Sequence, residues 1–268
     1  MAKKDDMPLR ITPAPEPAIK ILTDEERRNL RLYFGEVALL YAVMVDRAGS
    51  ERFLKEKVLP EGMEVTSRRI HLEWLKSARV WERMMPLDRE VMMMADGHWE
   101  WDLIHRVGLA MEPLRLLRWI LRIDFYLPVV GQQLKGDFAL AHELVMLPQK
   151  TLEGKEMIDW AGMETGRDAA RSFFQRCLAE AISRGYYDPE NQAATQWGNE
   201  ISKAMSGQQE LDLVLGDKLV SEASREELLW AISISERRQT FLSWAMTLLE
   251  TGRAPEGTFP AVVHASEG

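Results

Sequence analysis

Apolar residues recur along this chain at intervals of three and four, the spacing that gathers them on one side of an α-helix. Thr23 followed by Glu26 forms the T-x-x-E pattern of a capping box and predicts a helix start. Leu30, Tyr33, Phe34, Val37, Tyr41, Met44 and Val45 then keep the helical period as one apolar face up to Ala48, with a stop expected at Gly49. Ser50 is placed to cap a short second helix through Val58, closed by Pro60. A third helix is predicted over about residues 66–79, with Ile70, Trp74 and Leu75 facing inward. Pro86 suits the first turn of a fourth, where a missing N–H costs nothing. That helix carries a run of methionines and stops near Asp96-Gly97; a fifth begins near His98 and reaches about Asp124, kinked at Pro113.

The second half repeats the pattern. A helix over about 166–185 buries Ala170, Phe173, Phe174, Cys177, Leu178 and Ala181 and ends at Gly185. Further helices are expected over 190–205, 224–232 and 235–251, the last stopped by Gly252. Strand alternation is scarce: FALAHELVML (138–147) fits a short strand or a helix equally well. No fixed-period repeat is present. The expected fold is all-α, one multi-helix domain over 21–252 with a subdomain junction near 128–150. Residues 1–20, with charges and four prolines, read as a tail or strap; 253–268, broken by Pro and Gly, reads as a loose tail.

Composition narrows the setting. The net charge of −8 over 268 residues repels nucleic-acid phosphates, and no Lys/Arg run creates a local basic patch, so no nucleic-acid partner is expected. A single cysteine, Cys177, cannot form an internal disulfide, which fits a reducing compartment. MAKKDDMPLR lacks the apolar stretch of a secretory signal, and VALLYAVMV is too short to span a bilayer. We expect a cytoplasmic protein that does not associate with membranes.

Candidate chemistry centres on MMMADGHWEWD (92–102). His98, Asp102 and His105 fall at i, i+4 and i+7, with Glu112 seven further on; on one continuous helix these lie within an arc of roughly 80°. Two imidazoles and a carboxylate suit zinc, manganese or iron. Glu112 would sit roughly 21 Å along the axis from His98, so only His98, Asp102 and His105 could cooperate, completed from another helix by a residue such as His71 or Glu143. The competing expectation, which we favour, is a join between two packed helices whose aromatics anchor the corner. His142-Glu143 begins like the zinc-protease H-E-x-x-H pattern, but Met146 stands in place of its second histidine. No G-x-S-x-G elbow, phosphate loop, G-x-G-x-x-G fingerprint or C-x-x-C pair is present, and we expect neither catalytic residues nor a cofactor. The nine tryptophans, Trp74, Trp81, Trp119 and Trp244 among them, and methionines such as Met84, Met85, Met92, Met93 and Met94 are expected in the core.

Two segments carry a resemblance. Trp74-Leu75, Trp81, Pro86 and Asp88, followed by Glu112, Leu114, Leu117 and Trp119, resemble the first half of a bacterial domain-of-unknown-function family, the one numbered 4272. Arg238, Leu242 and Trp244 resemble its closing helix, and together the likeness spans about residues 23–250. Leu109, Ala110 and Met111 stand where the family's pattern leads to an Arg before Glu112, and Ser243 where it leads to Asn. The resemblance implies a helical, intracellular bacterial protein and implies no reaction or substrate. From the residues themselves we expect Glu112, in the first turn of an apolar helix, to pair with Arg238 and fix how the two halves dock. The functional expectation is a non-catalytic interaction or accessory domain that binds another protein or itself. A metal-dependent hydrolase built on the His/Asp cluster and a helical small-molecule binder are the alternatives.

Overall fold

The capping box forms as expected: the Thr23 hydroxyl accepts from the Glu26 backbone N–H at 3.2 Å and the Thr23 N–H donates to the Glu26 carboxylate at 2.9 Å. In this computed structural model, which describes residues 21–57, 67–130, 137–154, 156–205 and 212–263, the helix it opens does not stop at Gly49. α1 runs through Asp24–Glu56. Gly49 is there for close approach: a Cβ on it would meet the Phe138 ring at 2.8 Å. Ser50 is not a cap either, since its hydroxyl donates to the Asp46 carbonyl one turn back, at 3.1 Å. Val58, Pro60 and the Pro-rich residues 1–20 lie outside the described residues.

Every residue from Val37 to Val45 is buried, so α1 is a central helix apolar on all sides rather than on one face. Around it lie α2 (Ser67–Ser77), α3 (Pro86–Met93), α4 (Trp101–Gly108), α5 (Met111–Ile120), α6 (Asp137–Met146) and α7 (Gln149–Leu152). Ile70 is exposed, contrary to expectation, because α2 turns Leu75 and His71 inward. The helix expected from His98 to Asp124 is two helices, broken at Leu109–Ala110 and not at Pro113. Pro113 falls in the first turn of α5, where no intrahelical partner awaits its missing N–H. The 138–147 segment is helical.

Beyond lie α8 (Trp160–Ser183), α9 (Gln192–Met205), a hairpin of β1 (Val214–Leu215) and β2 (Lys218–Leu219), and α10 (Arg225–Thr251). The two helices expected over 224–251 are one, begun by a Ser224/Glu227 capping box and closed by Gly252 at φ 65°. The hairpin was not foreseen: Gly216 at φ 70° supplies the positive φ that its two-residue turn needs. Beneath it a second, smaller core joins Val130, Cys177, Leu215, Val220, Leu228 and Ala231. The chain thus passes into that core at Val130 and returns to the first with α6. The Cys177 thiol is pushed up to about 12 by burial, which leaves it unreactive.

Among the expected core tryptophans, Trp119 is buried, whereas Trp74, Trp81 and Trp244 are half-buried against the first core. No described helix is long and apolar enough to cross a membrane. The C-terminal segment is irregular but, through residue 263, not loose. Phe259, Val262 and Val263 are buried, and the N–H groups of Val262 and Val263 donate to Asp88 at 3.1 and 2.8 Å.

A charged network ties the second core together. Arg176 of α8 donates to Asp212 at 2.8 Å and to Glu180 at 2.6 Å, and Glu180 also accepts from Ser202 of α9 at 2.7 Å. Burial raises the Glu180 carboxyl, but the Ser202 and Arg176 hydrogen bonds and the neighbouring cations outweigh it and hold it below its ordinary value. Asp212 is held down in the same way: against burial stand the hydrogen bonds from Ser221 and Arg176. A carboxyl depressed in the folded state adds stability above its unfolded pKa and loses it as pH falls through the folded one. The denaturation midpoint is therefore expected to fall as pH drops below about 4. In Glu180→Gln the same acid titration should be shallower; equal slopes in both chains would contradict the network's role.

Candidate functional site

α5 places Glu112, Arg115 and Arg118 at three-residue intervals, and all three are buried. Each is satisfied by a partner that the fold brings to it. The Glu112 carboxylate accepts from Arg115 Nη1 at 3.1 Å and, through its other oxygen, from Arg238 Nε of α10. The expected Glu112–Arg238 pair is thus in direct hydrogen-bond contact and joins α5 to α10. Arg238 has a second task, because its Nη1 donates to the Pro128 carbonyl at 2.6 Å.

Arg118 clamps the same region from the other side. Its Nε and Nη2 grip the Asp124 carboxylate at 2.7 and 2.8 Å, a bidentate pairing. It also donates to the Leu140 carbonyl at 3.1 Å and to Glu143 at 2.9 Å, both on α6. Burial works to lower the Arg118 pKa, but its hydrogen bonds and ion pairs with Asp124 and Glu143 prevail and raise it. Glu143 is held down by hydrogen bonding to Lys150 and by Arg118, against burial.

Between these clamps runs DFYLPVV (124–130). α5 ends in a two-bond reversal: Arg122 N–H donates to the Trp119 carbonyl at 3.0 Å and Ile123 N–H to the Arg118 carbonyl at 2.9 Å. Arg122 takes φ 56° in a position that glycine usually fills. Asp124 is held by Arg118, Pro128 by Arg238, and Val130 is anchored in the second core. Phe125, Tyr126 and Val129 are left 77%, 86% and 56% exposed. Two aromatic rings are therefore displayed from a backbone fixed on both sides. Arg122→Gly, which relieves the left-handed residue, is expected to raise stability by up to about 1 kcal/mol in urea denaturation. A loss would show that the Arg122 side chain is needed there.

The sequence-derived metal candidates are placed differently. His98 lies in the turn before α4, and Asp102 and His105 are exposed on α4; Asp102 pairs with Arg106 at 2.9 Å. Among the described residues no group of three His, Cys, Asp or Glu side chains is arranged to hold a metal ion. The two further residues considered, His71 and Glu143, are spent elsewhere. His71 Nε2 donates to one Asp46 oxygen at 2.7 Å and His142 Nδ1 to the other at 3.2 Å, so α2 and α6 are both tied to α1 through one carboxylate. The buried His71 Nδ1 has no partner.

The MMMADGHWEWD stretch turns its backbone, not its imidazole, to functional groups. Glu51 accepts from the N–H groups of Gly97 and Trp99 at 3.0 and 3.2 Å, while Arg47 pairs with Glu51 and Asp96. Spacing arguments missed the Phe125–Tyr126 loop because it has no helical period. The available signal was an aromatic run ending in proline between two amphipathic segments. No family model, curated protein or solved structure matches this chain.

Proposed function

We propose that the protein is a non-catalytic interaction domain that docks another protein, or a second copy of itself, through Phe125, Tyr126 and Val129. The observation that carries this reading is the exposure of two aromatic rings on a backbone clamped by Arg118 and Arg238. Aromatic anchors dominate the energetics of protein interfaces, and a loop fixed before binding pays little ordering entropy when it docks. An accessory role accords with the resemblance to family 4272, a likeness that rests on the order of Trp74-Leu75, Trp81, Glu112 and Trp119.

The test compares the wild-type chain with Phe125→Ala/Tyr126→Ala. Both side chains are exposed, so the change in stability is expected to stay within about 0.5 kcal/mol. With anchors worth about 2 kcal/mol each, affinity for a partner recovered from the native host should drop at least about a hundredfold. If the partner is a second copy, sedimentation should show a wild-type dimer and a monomeric variant. Equal partner affinity and equal mass in both chains would refute the docking loop.

A further inference from the structure

The C-terminal strap, residues 254–263, is held almost entirely by its main chain. Arg83 donates through Nη2 to the Pro255 carbonyl at 2.7 Å and through Nε to the Gly257 carbonyl at 3.2 Å. Its own carbonyl accepts from the Phe259 N–H at 2.8 Å. The Tyr41 hydroxyl donates to the Ala261 carbonyl at 3.2 Å. Asp88 then receives the N–H groups of Val262 and Val263 on its two carboxylate oxygens. Side-chain recognition is confined to a few positions: the Phe259 ring lies against Tyr33 at 5.7 Å, with the Arg83 guanidinium 4.2 Å from its centroid, and the two valines are buried.

The groove does not need the strap in order to exist. Tyr33 and Tyr41 belong to α1 and Asp88 to α3, and Arg83 is oriented by Glu36 at 2.7 Å. The strap reaches it by a connection in which Arg253 and the Glu256–Thr258 stretch are exposed. A cleft of about 640 Å³, lined by Glu25, Asn29, Arg83, Arg253 and Glu256, opens where the strap begins. An incoming chain can therefore seat its first residues while the strap is still bound.

We propose that this groove is a recognition site for an extended segment of a partner protein carrying the pattern aromatic-Pro-x-Val-Val, and that residues 254–263 occupy it in cis as a competing ligand. Recognition by main-chain hydrogen bonds with pockets for alternate anchors is how extended peptides are read, and it admits any chain with the right anchors. The covalent strap competes at an effective concentration on the order of millimolar, so the groove opens to a partner only when the strap loses that contest. This site is separate from the Phe125–Tyr126 loop and stands whether or not that loop docks anything.

The probe is a fluorescently labelled synthetic peptide with the sequence of residues 254–263, titrated into the full-length chain and followed by anisotropy. Wild type should bind it weakly. Phe259→Ala, which loosens the strap, should bind it at least about tenfold more tightly, a difference of about 1.4 kcal/mol. Adding Asp88→Asn, which replaces one acceptor oxygen with a donor amide, should abolish that gain. Because Phe259→Ala can unfold the chain, a second full-length variant carries a protease site inserted between Gly257 and Thr258 and is cut after folding. The severed segment should stay bound and then exchange with the labelled peptide. Equal affinity in wild type and Phe259→Ala, a gain that survives Asp88→Asn, or a severed strap that leaves and cannot be replaced would each overturn the proposal. A wild-type dimer that Phe259→Ala converts to monomer would also overturn it, because the occupant would then be a second copy's strap.

Discussion

Replacing Arg238 by methionine is expected to destabilise the fold by about 3–5 kcal/mol, the cost of leaving a buried charge without its partner. Arg238 and Glu112 are both almost wholly buried, at 4% and 1% exposure. Methionine preserves much of the volume, so the loss would come from the Glu112 carboxylate, left with Arg115 alone, and from the Pro128 carbonyl, left without its donor. The intact pair need not be worth that much against a well-packed apolar pair, because both charges lose hydration on folding. The double variant Glu112→Leu/Arg238→Met is therefore expected to be less destabilised than the two single changes added together, with a coupling of about 1–3 kcal/mol. Urea denaturation at an unchanged m-value measures all three. A single-variant loss below about 1 kcal/mol, or strictly additive changes, would mean that the pair is not what docks α5 on α10. Hydrogen exchange of residues 122–130 supplies a second readout, since releasing Pro128 should speed exchange there before the core unfolds.

That pair was legible in the sequence because each member sits on a helix whose period fixes its direction. A carboxylate in the first turn of α5 and an arginine on the inward face of α10 need only the two helices to touch. The clamp made by Arg118 was not legible. Its partners Asp124 and Glu143 lie six and 25 positions away, one in a loop and one on another helix, and no local spacing relates them. Breaks were misplaced for a related reason. Gly49 and the Ser233–Ser235 region look like helix stops by propensity, yet α1 and α10 run through them because tertiary burial outweighs a cost of about 1 kcal/mol. Gly252 does end a helix, since only there does the chain need a positive φ. The strap was the largest misjudgement: Pro and Gly argue against helix, and that says nothing about whether an extended segment is bonded to the surface beneath it.

The other large effect is expected at the corner where α1 meets the turn before α4. Glu51→Ala should cost about 3–5 kcal/mol, because one fully buried carboxylate serves three donors there. It accepts from Gly97 and Trp99 backbone N–H groups, and from Arg47 at 2.6 Å. Burial lowers the Arg47 pKa to about 10, against the opposing pull of Glu51, a sign of how little water reaches this guanidinium. Without Glu51 it keeps Asp96 and the Ser67 hydroxyl, but the two backbone donors lose their acceptor in a place where an unmade hydrogen bond costs about 1–3 kcal/mol. Trp99 depends on that carboxylate for its position. Its ring is fully buried, its indole N–H donates to the Val91 carbonyl at 3.2 Å, and the Arg47 guanidinium lies 5.7 Å from its centroid. Trp99→Ala should therefore cost about 3–5 kcal/mol, whereas Trp101→Ala, two positions on and half exposed, should cost under about 1. His98→Ala, at an exposed imidazole, should stay within about 0.5 kcal/mol. A corner organised around imidazole chemistry would reverse that order, with His98 sensitive and Trp99 tolerant. Thermal and urea denaturation of the four variants separate the two arrangements directly.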